Sequence, residues 1–519
     1  MQQEKVKMMT SGLKPVKTAL ISVYNKDNIL PLAKALAGKG VIIYSTGGTM
    51  DYLIANNIPV VAVEELTGYP SIFGGRVKTL HPAIFGGILQ RRDSHNDRLE
   101  AEKYNIPEFD MVIVDLYPFE ETVVNASDEQ EIIEKIDIGG ISLIRAAAKN
   151  YKDVLSVAHR DYFDECLNLF EKQDGAFTLE QRKKFATLAF HISSHYDTRI
   201  FEYFNSFVNL SVLHISEPEG KVLRYGENPH QKGVFYGKLN DIFEQLHGKE
   251  LSYNNLLDID AACMLMEDFP ENIPWVGIIK HNNACGVAQA NTLKEAWEKA
   301  LAGDPVSAFG GIIACNSVID SETATLMNDL FFEILIARGF DENAFNILKS
   351  KKNRILLVKK NKLPNRPIIR SAINGILWQN KDTKLINREE CKVVTKISPT
   401  ETEWEDLLFA NRIVKHTKSN AIVLVKNKQL IGIGTGQTSR VDALEQAIDK
   451  AKKFGFTLEG CVMASDAFFP FPDCVQIAGR EKISSIIQPG GSIRDNESIE
   501  AADRLGISMI FTGIRHFKH

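Results

Sequence analysis

The sequence predicts an α/β protein, and three observations carry the prediction. Over residues 17–160, short apolar runs of strand length alternate with segments of helical period, as where the run at 19–23 is followed by Ile29, Leu32, Ala33 and Leu36. Strands that read as nearly continuous apolar runs between helices belong to a parallel sheet covered on both faces. The unusual polar motifs mostly follow a strand, which is where open α/β sheets bind ligands. At 519 residues the chain exceeds one hydrophobic core, and about two to four domains are expected.

The elements follow in order. Residues 19–23 and 41–44 read as strands, with Ser45, Thr46, Gly47, Gly48 and Thr49 as the loop after the second. A third strand at 111–114 ends in Asp115, Leu116, Tyr117, Pro118 and Phe119, a helix is expected over 141–151 and a strand over 154–158. Residues 161–206 read as mainly helical. Around 210–221 no period is sustained and a Pro and a Gly intervene, so the boundary is placed near Ser216, giving domains 1–215 and 216–519. In the second domain 275–279, 312–314, 460–464, 483–487 and 508–511 read as strands, 440–454 and 496–505 as helices. Residues 421–434 read as a hairpin around Lys426, Asn427 and Lys428. A strand ending in a polar motif occurs in both parts of this domain and hints at two similar subdomains. The lysine-rich stretch 349–362 reads as solvated surface.

Composition narrows the function. Hydrophobic content of 44% and charged content of 24% are those of a globular protein, and a net charge of −5 argues against a nucleic-acid-coating or polybasic membrane protein. No apolar run reaches membrane-spanning length, and residues 1–16 are polar without the apolar stretch of a signal peptide. The seven Cys are scattered, with no Cys-x-x-Cys, which fits a reducing cytoplasm and no zinc site.

The motifs carry the chemistry. Residues 74–82 are Gly-Gly-Arg-Val-Lys-Thr-Leu-His-Pro. The glycines allow close backbone approach, while Arg76, Lys78, Thr79 and His81 offer cations, a hydroxyl and an imidazole, a set suited to a phosphate ester. Ser45 to Thr49 place hydroxyls and backbone N–H groups ahead of a helix, an anion cradle that Ser22 and Lys26 could complete. Asp137, Ile138, Gly139 and Gly140 open the helix bearing Arg145 and Lys149. Taken singly, Asp137 is an ordinary helix-start carboxylate, Lys149 a surface lysine and Tyr117 a packing aromatic. In the second domain Lys280 and His281 follow a strand and could pair a cation with a general base. Companion motifs lie at 223–231, 307–311, 417–420, 434–440, 465–471 and 488–492. Phe468, Phe469 and Phe471 are either core or a stacking platform for a flat heterocycle.

These motifs, in one order from about residue 19 to 519, resemble the bifunctional purine-biosynthesis family that joins phosphoribosylaminoimidazolecarboxamide (AICAR) formyltransferase to inosine monophosphate (IMP) cyclohydrolase. The carriers include Leu-Arg-Tyr-Gly-Glu-Asn-Pro-His-Gln at 223–231, Lys-His-Asn-Asn-Ala-Cys-Gly at 280–286 and Ser-Asp-Ala-Phe-Phe-Pro-Phe at 465–471. The resemblance implies a methylglyoxal-synthase-like parallel-sheet domain first, then a transformylase half of cytidine-deaminase-like α/β subdomains. It also implies a cytoplasmic homodimer with the transformylase site near the subunit interface. The zinc deaminase signature is missing, so the implied site holds no catalytic metal. Ala284 stands where family members often carry Pro, Tyr24 where a smaller hydroxyl residue can occur, and Asp115 where some have Asn.

The resemblance implies two reactions and their residues. First, a formyl group moves from the co-substrate 10-formyltetrahydrofolate to the 5-amine of AICAR, with His281 as base, Lys280 stabilising the oxyanion or protonating the leaving folate nitrogen, and Asn420 holding the formyl oxygen or the amine. Arg224, Tyr225, Arg440 and Arg515 would anchor the nucleotide, Phe468 stack on a ring, Asp473 bind the folate head and Glu333 the ribose, with Phe309 and Gly310 lining the site. Second, formyl-AICAR closes to IMP with loss of water, using Lys78, Tyr117, Asp137 and Lys149. Ser22, Lys26, Ser45, Thr46, Gly47, Gly48, Arg76 and Thr79 would hold phosphate and ribose, with Asp115 a further ligand candidate. The alternatives are a regulatory nucleotide-binding protein of the same fold, or a chain with only the cyclohydrolase active.

Overall fold

The computed structural model describes residues 12–519, so most of the polar start at 1–16 lies outside the described residues. Two compact units divide between Pro218 and Glu219.

The first unit contains β1 (Thr18–Val23), α1 (Ile29–Gly38), β2 (Ile42–Ser45), α2 (Gly47–Ala55), β3 (Val61–Ala62), α3 (Pro82–Leu89), β4 (Met111–Asp115), α4 (Gly139–Lys149), β5 (Leu155–Val157), α5 (Phe163–Lys172) and α6 (Leu179–Val208). The five strands are parallel in the order β3-β2-β1-β4-β5. Alternate residues feed two cores. Ala19, Ile21, Met111 and Ile113 pack with α1 and α5, while Leu20, Val112 and Val114 pack with α3 and α4. Both faces are covered, which is why β1 and β4 read as unbroken apolar runs. The expected loop at 45–49 is shorter than the sequence implied: α2 begins at Gly47, so the two glycines form its first turn. The helix forecast at 141–151 is α4, displaced two residues toward the N-terminus.

The second unit contains β6 (Phe243–His247), α7 (Tyr253–Glu267), β7 (Trp275–Lys280), β8 (Asn283–Gln289), α8 (Leu293–Gly303), β9 (Ile312–Cys315), β10 (Ile334–Ala337) and β11 (Ile355–Lys359). It continues with β12 (Lys392–Val393), α9 (Glu401–Lys415), β13 (Ile422–Lys426), β14 (Gln429–Gly434), α10 (Arg440–Lys453), β15 (Val462–Ser465), α11 (Asp473–Arg480), β16 (Ser485–Gln488), α12 (Asp495–Leu505) and β17 (Ser508–Phe511). These strands form one twelve-stranded sheet, β6-β11-β10-β9-β7-β8-β14-β13-β15-β16-β17-β12. From either edge the same pairing sequence is met: antiparallel, parallel, parallel, antiparallel, antiparallel, then the antiparallel seam β8–β14. Each half packs a helix on its hairpin through a glycine. A Cβ on Gly286 would lie 2.0 Å from the Ala300 carbonyl oxygen, and one on Gly432 2.3 Å from that of Ala447. The lysine-rich stretch 349–362 is not simply solvated surface, because β11 runs through it with Ile355, Leu356 and Leu357 fully buried. Among the described residues no helix is long and apolar enough to cross a membrane.

Candidate active sites

In the first unit the C-terminal ends of β1 and β4, the N-termini of α2 and α4 and the 74–80 loop surround a cavity of about 830 Å³. Its lining includes Ser22, Lys26, Thr46, Gly48, Arg76, Lys78, Thr79, Asp115, Tyr117 and Asp137. Residues 115 sequence positions apart thus meet because parallel strands deliver all their following loops to one edge. Gly47 adjoins the group, since a Cβ there would lie 3.5 Å from Lys78 Nζ.

The acidic groups differ from ordinary carboxylates. Asp137 is held by the Gly140 N–H, which donates to Oδ1 at 2.6 Å. Its own N–H donates to the Tyr196 hydroxyl at 3.0 Å, and that hydroxyl donates to the Lys135 carbonyl at 2.6 Å. Burial raises the Asp137 carboxyl above the usual range. Burial, and then the charge of Asp137, raises the Tyr117 phenol. Burial also raises Asp115, which accepts from the N–H groups of Asn25 at 3.1 Å and Arg160 at 3.4 Å and so ties the ends of β1 and β5 together. Arg76 is bonded to Glu134 across the mouth of the cavity.

Two expected members are elsewhere. Ser45 is fully buried and its hydroxyl donates to the Ile21 carbonyl at 2.7 Å, bracing β2 against β1. Lys149 lies on the last turn of α4 whereas the cavity touches the first; at ~1.5 Å rise per residue an eleven-residue helix separates the two by most of its length. Lys135 belongs to none of the sequence motifs. Its Nζ lies 5.0 Å from the Tyr24 ring centroid and 5.7 Å from that of Tyr117. Thr49, expected in the anion cradle, exchanges bonds with the backbone of Val23 at 3.1 and 2.9 Å.

In the second unit β7 stops at Lys280. His281 and Asn282, at φ +52° and +63°, make a two-residue turn into Asn283. The strand's strict alternation of faces thus ends at Lys280 and does not bind His281. Lys280 Nζ donates to the Phe309 carbonyl at 2.7 Å, and Gly310 N–H donates to the Phe331 carbonyl at 2.8 Å. Glu333 accepts from Asn255 at 3.1 Å and from Lys249 at 3.4 Å. Thr435 donates to Asn283 at 2.9 Å, joining the turn to the end of β14. Beyond it Asn420 Nδ2 donates to the Gln437 carbonyl at 3.0 Å, and Asn420 Oδ1 accepts from Arg440 at 2.8 Å.

Arg440, expected among the nucleotide anchors, lies inside the fold. It is buried and ion-paired with the buried Asp466, with a further bond to Ser465 Oγ at 2.8 Å. Its guanidinium holds Asn420 and the end of β15 in place. The C-terminal tail reaches the same cluster, where His516 N–H donates to the Asp466 carbonyl at 3.0 Å, leaving the next-door Arg515 exposed over Phe517 at 4.3 Å. Of the three phenylalanines, Phe469 is core, while Phe468 and Phe471 are exposed. Asp473 opens α11 and accepts from the Cys474 N–H at 2.7 Å. Arg224 stacks over Tyr225 at 5.5 Å, in a loop whose Glu227 carbonyl accepts from Asn254 of α7 at 3.2 Å.

The fold and the sites define a two-unit α/β protein, with a polar cavity in the first unit and a lysine–histidine turn in the second. A family model described as AICARFT/IMPCHase bienzyme matches residues 147–450, and one described as MGS-like domain matches residues 28–142. The chain is 55% identical to the bifunctional purine biosynthesis protein PurH of Bacteroides thetaiotaomicron, over 98% of this chain and 100% of that protein. It is 48% identical to the PurH of Caldicellulosiruptor saccharolyticus, over 97% and 100% respectively. Among solved structures it matches a dCMP deaminase from cyanophage S-TIM5 at 16% identity and a TM-score of 0.14, over 17% of this chain and 77% of that one. The chain belongs to the AICARFT/IMPCHase bienzyme family and is a bifunctional AICAR formyltransferase and IMP cyclohydrolase of purine biosynthesis.

Proposed function

We propose that the second unit transfers the formyl group of 10-formyltetrahydrofolate to AICAR at Lys280 and His281, and that the first unit closes formyl-AICAR to IMP in the cavity of Lys78, Tyr117 and Asp137. The observation that carries the division is the gathering of those three groups, with Ser22, Lys26, Thr46, Arg76 and Thr79, in a cavity made wholly by the first unit. The helix N-termini and cations take the phosphate. The carboxamide nitrogen then attacks the formyl carbon, Lys78 offsets charge on the formyl oxygen, and Asp137 and Tyr117 handle the protons as water leaves.

For formyl transfer, His281 takes the proton of the attacking amine while Lys280, fixed by the Phe309 carbonyl, faces the oxyanion. Arg224 and Arg515 are the exposed guanidiniums available to the nucleotide phosphate, and Phe468 the exposed ring available for stacking. Exposed Phe309 and Phe331, 5.1 Å apart beside Lys280, support a second copy of the chain covering this site. Seven free thiols, six of them buried, support a reducing cytoplasm.

Pure protein incubated with AICAR and 10-formyltetrahydrofolate should form IMP, and a fragment of residues 1–218 should close supplied formyl-AICAR. A folded fragment without cyclisation would refute the division.

A further inference from the structure

We propose that Asp258 is the positioning residue for His281, acting by clamping the two-residue turn that carries the imidazole. The inference rests on the reading of Lys280 and His281 as the formyl-transfer pair. Both central residues of the turn bear a Cβ and both are left-handed, a conformation uncommon outside glycine that Asn and His take more readily than most and that a hydrogen-bonded partner favours further. The support comes from α7. Asp258 Oδ1 accepts from the Asn282 N–H at 2.6 Å, and the His281 N–H also faces the carboxylate. With the Asn282 amide oriented to satisfy both its groups, Nδ2 donates to Asp258 Oδ1 at 3.0 Å and to the Leu257 carbonyl at 3.0 Å.

The other half of the sheet holds the same device without the histidine. Asp258 stands six residues after the helix cap Ser252, and Asp406 stands six residues after the helix cap Thr400. Asp406 accepts from the N–H groups of Asn427 and Lys428, both at 2.7 Å, and these two residues have φ of +54° and +55° between β13 and β14. The preceding lysines match as well. Lys280 donates to the carbonyl of Phe309, three residues before β9, and Lys426 donates to that of Glu459, three residues before β15, at 2.6 Å. Lysine, turn and carboxylate recur, while both turn residues differ: Asn427 stands where His281 does and Lys428 where Asn282 does. A carboxylate kept where there is no imidazole to exchange a proton with acts on the backbone. The function of Asp258 is therefore to hold the turn, and through it His281, in place.

The test uses the full chain, with kcat and KM for formyl transfer measured beside cyclisation of supplied formyl-AICAR. Asp258→Ala should lower kcat at least ~10-fold with little change in KM, and leave cyclisation intact. In a His281→Ala background the same substitution should add no further loss, because it acts only through the imidazole. Asn282→Gly introduced into Asp258→Ala should restore much of kcat, since glycine takes positive φ without a clamp. Asp406→Ala should leave kcat within ~2-fold while lowering the melting temperature. Should Asp258→Ala fold poorly, Asp258→Leu, which likewise offers the turn no acceptor, is read in its place. Full kcat in the Asp258 variants, a loss that adds onto His281→Ala, or no rescue by Asn282→Gly would overturn the clamp. A His281→Ala enzyme at full rate would instead overturn the reading on which it rests.

Discussion

Gly140 and Asp137 are in close contact: the glycine N–H donates to Oδ1 at 2.6 Å, and a Cβ on residue 140 would lie 2.7 Å from Oδ2. Gly140→Ala should displace the carboxylate from this position. The expected result is a loss of cyclisation of at least ~10²-fold, consistent with losing an aligned acid–base group, and no change in formyl transfer. Steady-state assays of both half-reactions check this, and normal cyclisation by the variant would show that the carboxylate position is immaterial.

Lys78→Ala should abolish cyclisation, by ~10²-fold or more, and spare formyl transfer. Formyl-AICAR should then accumulate when the variant is given AICAR and 10-formyltetrahydrofolate. Undiminished IMP output would remove Lys78 from the mechanism.

Asp137 should trade stability for activity. Because burial raises its carboxyl in the folded state, the folded chain keeps a proton over a pH window in which the unfolded chain has released it. Stability therefore falls as pH rises from the ordinary carboxylate value through the raised one, and the deficit is complete above it. Asp137→Asn should melt higher than the parent at neutral pH, with the gap closing on acidification toward pH ~4, while cyclisation is lost. Melting curves across that range check the sign, and a variant less stable at neutral pH contradicts it.

Arg440→Ala should act first on stability. It leaves Asp466 buried without its partner, a change that typically costs about 3–5 kcal/mol, and frees Asn420. Thermal melting should show a clear drop and formyl transfer a fall in kcat. An unchanged melting point with only a raised KM for AICAR would return Arg440 to phosphate binding.

Much of this is legible in the sequence. The strands of the first unit could be read because burial on both faces leaves them uniformly apolar, and the strand ends then located the cavity. The Lys280–His281 turn was legible as a requirement, because neighbours on a regular strand face opposite ways. What failed were roles that depend on direction. Ser45 and Thr46 are adjacent, yet only Thr46 lines the cavity; the Ser45 hydroxyl braces β1 and that of Thr46 donates to Glu64 at 2.9 Å. Lys149 shares a helix with the Asp137 region but sits at its far end. Arg440 looks like any phosphate-binding arginine until Asp466 is found beneath it, 26 positions away. Asp258 belongs to no recognisable motif, and only comparison of the two half-sheets brings it out.

The strand order of the second unit also bears on how its chain could be rearranged. In each half the strands lie, from edge to seam, in the chain order first, sixth, fifth, fourth, second, third. The sheet would thus be built as well by a chain in which the second half came first, because neither half depends on preceding the other. The 360–400 stretch, which carries no strand of the seam, is the natural place to open such a circular permutant.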